Sequence, residues 1–155
     1  MMNKFTNWVK WVDRNTLEGI NYPGIYCIAV SSNSLNTFSF IPELEYIGMT
    51  NSKRGLKSRL RQFDDTIKKK RTNHGGADRF LYEYEDYETI KDNIYVAICS
   101  FECDTKSPTP NDLRIMGKVA KCEYDFWAAY IEENGRYPKF NDKNVSPKYS
   151  KQNKL

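Results

Sequence analysis

The sequence predicts a small α/β sandwich, with a short, mainly antiparallel three-stranded sheet flanked by helices. Three observations point there. Short apolar, partly β-branched runs at 25–30, 43–48 and 94–101 suit strands. The stretches 54–71 and 113–131 instead carry apolar residues at helical spacing. A length of 155 residues, with 39% hydrophobic and 14% aromatic residues, is enough for one core and too apolar for a disordered chain.

Taken in order, Phe5, Trp8, Val9 and Val12 follow i, i+3, i+4, i+7 spacing and predict an N-terminal amphipathic helix, with the Trp pair read as packing. Asn21-Tyr22-Pro23-Gly24 is a turn, and 31–37 a polar loop between the first two strands. In the helix 54–71, Leu56, Leu60, Phe63 and Ile67 form one stripe, which Asn73-His74-Gly75-Gly76 breaks. A shorter helix is expected near 78–87. Asn111 or Asp112 is expected to cap the last helix, and Gly135 to end it. The organisation expected is one domain over 1–141 and a basic flexible tail over 142–155.

Composition narrows the function classes. The longest apolar runs are too short to cross a bilayer, and no signal-peptide pattern opens the chain, so a soluble, cytoplasmic protein without a membrane partner is expected. Cys27, Cys99, Cys103 and Cys122 lack zinc-ligand spacing and are read as reduced, mostly buried thiols. The net charge of +4 is unevenly spread. Nine Lys/Arg face two Asp between Lys53 and Arg71, and six face one Asp from Arg136 onward, which leaves the rest of the chain at −8. That segregation suits a surface that meets a polyanion, although a solvated helix face explains it equally well.

Two charges stand where apolar residues are expected. Steps of three and four along the last helix pass 113, 116, 120, 123, 127 and 130, so Glu123 falls inside the apolar face. A carboxylate there needs an ion pair, a proton or a cation. Arg59 likewise borders the stripe of its helix, and an inward-leaning arginine wants a carboxylate or a phosphate. The two residues define either a site or a structural salt bridge.

Gly24-Ile25-Tyr26 on the first strand and Tyr46-Ile47-Gly48 on the second resemble the paired signatures of the GIY-YIG nuclease family. The resemblance extends through Gly55-Leu56-Lys57-Ser58-Arg59-Leu60 to Tyr137-Pro138-Lys139-Phe140-Asn141, covering residues 22–141. It implies a GIY-YIG-like fold and a divalent-metal-dependent endonuclease that hydrolyses DNA. Tyr26, Tyr46, Arg59 and Glu123 would be catalytic, with Glu123 holding Mg²⁺ or Mn²⁺. Lys57, Arg61, His74 and Asn141 would contact or support the substrate. Two departures stand out: 51–54 reads as a small insertion, and Phe63 occupies a position where many relatives carry Tyr or His, a gap that His74 or a water could fill.

The resemblance also implies a mechanism. A phenol with a pKa near ~10 acts as a base only when cations stabilise its phenolate. Tyr26 is the preferred base, with Tyr46 orienting water or phosphate, although the two roles are interchangeable. Arg59 would neutralise transition-state charge, and the metal would polarise the phosphate. A stand-alone, restriction-like or phage-associated enzyme fits best, and cutting both strands favours a homodimer. Two rivals are a non-catalytic DNA-binding module of the same fold and a basic interaction domain.

Overall fold

The computed structural model describes residues 4–152. A sheet of four strands, every neighbouring pair antiparallel, separates two helical layers. The strands are β1 (Val9–Lys10), β2 (Gly24–Val30), β3 (Leu44–Thr50) and β4 (Ile94–Ser100), in the order β1-β4-β2-β3. The expected three strands are all present, and the fourth comes from the N-terminal segment.

That segment overturns the expected N-terminal helix. Thr6 N–H donates to Ile98 O at 2.8 Å, and Val9 pairs with Val96, so the chain runs extended along β4 before a 3₁₀ helix at Trp11–Thr16. Extended backbone sends Trp8 to one face of the sheet and Trp11 to the other, both buried, while Val12 is left 58% exposed. Pairing with an open strand edge outweighs the weak helical preference of so short a stretch.

Alternation along β2 builds the two cores. Tyr26 and Ile28 face α1 (Gly55–Ile67) and α2 (Gly75–Tyr84), whereas Ile25, Cys27 and Ala29 face α4 (Pro110–Asn134). Burial on both faces explains why β2 reads as an unbroken apolar run. The stripe Leu56, Leu60, Phe63 and Ile67 of α1 is buried as its spacing predicts. The first N–H groups of α1 are satisfied by backbone rather than a side chain: Leu56 N–H donates to Tyr22 O and Lys57 N–H to Ile20 O. So close an approach requires glycine at 55, where φ is +69° and a Cβ would lie 2.3 Å from Asn21 O.

Other boundaries differ from expectation. The glycines at 75 and 76 begin α2 instead of merely ending α1, and α3 (Tyr87–Ile90) follows as a separate turn. Thr109, not Asn111 or Asp112, caps α4, with Asp112 completing a capping box; Gly135 ends the helix in the left-handed conformation. The segment after Asn141 is no loose tail as far as residue 152. Ser146 is buried, α5 (Tyr149–Gln152) forms, and the Ser150 N–H and hydroxyl both donate to the Asp78 carboxylate. No helix among the described residues is long and apolar enough to cross a membrane.

Candidate functional site

Two tyrosines meet beside the outer strand, each seated on a glycine. Tyr26 lies directly across from Gly48, and a Cβ at 48 would stand 2.4 Å from the Tyr26 Cζ. A Cβ at Gly76, in the first turn of α2, would stand 2.4 Å from the Tyr46 Cζ. The rings are tilted with centroids 6.0 Å apart. Tyr26 is 0% exposed, whereas Tyr46 is only half-buried.

His74 joins them. Its place in a glycine-containing loop suggested an open residue able to reach phosphate, but it is 2% exposed and caps α2. Its Nδ1 accepts the Ala77 N–H at 3.2 Å, and its Nε2 lies 2.6 Å from the Tyr26 Oη. A neutral imidazole whose Nδ1 accepts must carry its proton on Nε2, so His74 donates to the phenol oxygen. Burial, helped by the Arg59 charge, pushes the His74 pKa down to about 3, which keeps it neutral. Phe63 packs edge-on against it, with centroids 5.0 Å apart.

Burial pushes the Tyr26 phenol well above the usual range and the neighbouring Tyr46 raises it further, while Arg59 pulls it back by its charge and a hydrogen bond. Burial also raises Tyr46, as does the charge of Glu123, while the Arg59 charge and a hydrogen bond with Tyr26 stabilise its phenolate. Burial acts more strongly on Tyr26 than on Tyr46, so of the two phenols Tyr46 carries negative charge at the lower cost.

Arg59 projects from α1, and its Nη1 donates to Gln62 Oε1 at 2.7 Å. It is the shared neighbour whose positive charge is felt at Tyr26, Tyr46, His74 and Glu123. Glu123 comes from the opposite helical layer. The face of α4 turned to the sheet runs through Ile115, Val119, Cys122, Phe126, Trp127 and Tyr130, of which Val119 and Tyr130 are fully buried, while Leu113 and Ala120 are exposed. Glu123, half-buried itself, lies on that face one turn from both Val119 and Trp127. α1 and α4 both contact β3, the outermost strand, and the charge of Glu123 acts on Tyr46.

Glu123 enters no ion pair among the described residues, and burial raises its pKa against the pull of Arg59. A lone carboxylate with a free face fits a hard cation such as Mg²⁺, which brings most of its own waters. It does not fit an all-protein cage, since no group of three or more His, Cys, Asp or Glu gathers among the described residues.

Asn141 has a different position from a substrate contact. Its Oδ1 accepts the Ile47 N–H and its Nδ2 donates to Ile47 O, each at 2.8 Å, so the side chain clamps the strand next to Tyr46. Lys57 and Arg61 are exposed on α1. Gln62 is a partner the sequence reading missed, and its one signal is its place three residues after Arg59 on the same helix face. Gly48 and Gly76 stand in a motif and a break, but neither pattern shows that a tyrosine ring packs on each. Compared with known proteins, the chain matches no family model, no curated protein and no solved structure.

Proposed function

We propose that the chain is a divalent-metal-dependent DNA endonuclease of GIY-YIG type. The observation that carries this reading is the meeting of Tyr26, Tyr46, Arg59 and Glu123, from four separate elements, around the outer strand. A structural salt bridge alone would account for Arg59 and Glu123. It would not account for two phenols seated on glycines and joined to a neutral histidine.

In this reading Tyr46, rather than Tyr26, takes the proton of the attacking water. It is the less buried of the two phenols, and its phenolate is stabilised by the Arg59 charge and the Tyr26 hydroxyl. Tyr26 stays protonated and fixes the Tyr46 oxygen, with His74 fixing Tyr26 in turn. His74 fills from α2 the place beside Phe63 where many GIY-YIG members carry Tyr or His on the helix itself. Arg59 neutralises the charge that grows on the phosphoryl oxygens as water adds and the bond to the 3′ oxygen breaks. Glu123 would hold a divalent cation, which would supply Lewis acidity to the phosphate and leaving oxygen and offset the unfavourable field of bare Glu123 on Tyr46.

A non-catalytic DNA-binding module of the same fold is the rival, favoured by the complete burial of Tyr26. Incubation with supercoiled plasmid separates the two. The nuclease reading requires nicked or linear product with Mg²⁺ or Mn²⁺ and none with EDTA, whereas binding without product under every divalent ion supports the rival.

A further inference from the structure

We propose that the groove along the exposed edge of α1, rimmed by Lys53, Arg54, Arg61 and Arg71, holds the sugar–phosphate backbone of a nucleic-acid strand and leads it to Arg59. The destination of the strand rests on the nuclease reading; the binding does not. All four cations are exposed, and none enters an ion pair among the described residues. Asp65 is the one acid in the lining. At its inner side the groove reaches Gln62, whose Oε1 accepts from Arg59 Nη1 at 2.7 Å. The surface track and the candidate reaction centre are therefore one hydrogen bond apart.

Charge density alone would have chosen the run 68–71 instead. The structure divides that run. Lys68 pairs with Asp64 at 2.9 Å and lies over the Tyr87 ring, and Lys69 lies over Tyr149. Neither lines the groove, but Arg71 does. On the other side of α1, Arg14 is held by Asp64 at 3.2 Å and by the Trp11 carbonyl, so it serves the fold.

The chemistry of the lining selects the partner. Not one apolar or aromatic side chain borders the groove. A protein partner needs buried aromatic or aliphatic anchors at the centre of its interface, whereas nucleic-acid interfaces are polar, wet and strongly basic. Arginine forks match phosphate oxygens in pairs. Arg54 and Arg61 are two helical turns apart, about 10 Å of rise. At that spacing the two forks meet different phosphates of one strand rather than the same one.

The test uses the full chain with EDTA present, so that binding is read without cleavage. Fluorescence anisotropy of a short DNA duplex is followed between roughly 50 and 200 mM salt. The R54A/R61A/R71A variant, with its fold checked by circular dichroism, should bind at least about tenfold more weakly. Its log K against log salt should be shallower by about 2–3, since each lost phosphate contact removes about 0.9. The K69A/K70A variant should keep the wild-type slope. An unchanged slope in the triple variant, or a loss confined to K69A/K70A, overturns the groove assignment. So does polyglutamate that competes as well as duplex DNA of equal charge. Wild-type protein that nicks plasmid while the triple variant binds normally sinks the groove alone. The predicted slopes without nicking under any divalent ion uphold the groove and sink the nuclease reading.

Discussion

The Tyr26 hydroxyl lies 2.6 Å from Nε2 of His74, whose opposite ring nitrogen accepts the Ala77 N–H at the start of α2. One helix cap thereby fixes the tautomer of the histidine and the direction of its hydrogen bond to a buried phenol. Local structure and site chemistry are joined at a single side chain.

The first prediction concerns that ring. His74 is the only histidine, so its NMR signals are unambiguous. With a pKa near 3 its ring shifts should stay constant from pH 8 to 5, and a midpoint near ~6.5 would refute the buried, neutral assignment. In the unfolded chain the ring takes up a proton below ~6.5, so its stabilising contribution is complete above that pH and is lost as pH falls toward about 3. His74→Asn keeps a capping side chain but removes this titration. The stability advantage of wild type over the variant, read from urea midpoints, should therefore shrink between pH 7.5 and 4.5.

The two glycine seats give the second prediction. Gly48→Ala and Gly76→Ala each drive a Cβ to 2.4 Å from a tyrosine Cζ. Each should cost about 1–3 kcal/mol by displacing a packed ring. Gly117→Ala, which meets nothing within 4 Å, should not destabilise. Equal urea midpoints for all three variants would show that the rings are not seated as described.

The third prediction is that Asn141→Ala destabilises by about 1–3 kcal/mol, because Ile47 loses both a donor and an acceptor on the outer strand. Amide exchange at 46–48 should accelerate. Normal protection there, with weaker DNA binding instead, would favour a direct substrate contact for Asn141.

Much of this arrangement was legible in the residues, for identifiable reasons. β2 and β4 are buried on both faces, so their apolar runs stand out, and α1 shows its buried stripe directly. β1 did not show, because two residues become a strand only through an open partner edge. The start of α2 was hidden by glycines that signal a break locally but are needed for the approach of Tyr46. Tyr26 and Tyr46 stand in the paired motifs, yet the close approach of α2 to the Tyr46 ring at Gly76 is a tertiary contact that spacing does not show. The clamp of Asn141 on Ile47 is a long-range contact that no local pattern reveals.

The fourth prediction separates the tyrosines. Tyr46→Phe should lower the cleavage rate by about 10²–10⁴, the usual contribution of a general base. Tyr26→Phe should cost less and move the ascending limb of the pH–rate profile to higher pH, since Tyr46 loses the hydrogen bond that lowers its pKa. A larger loss in Tyr26→Phe with an unshifted profile would return the base role to Tyr26.

The most direct measurement is single-turnover plasmid cleavage by Glu123→Gln beside wild type, in Mg²⁺, with folding verified by circular dichroism. The account predicts metal-dependent product from wild type and none above background from the folded variant. A folded Glu123→Gln protein that cleaves at the wild-type rate would contradict it.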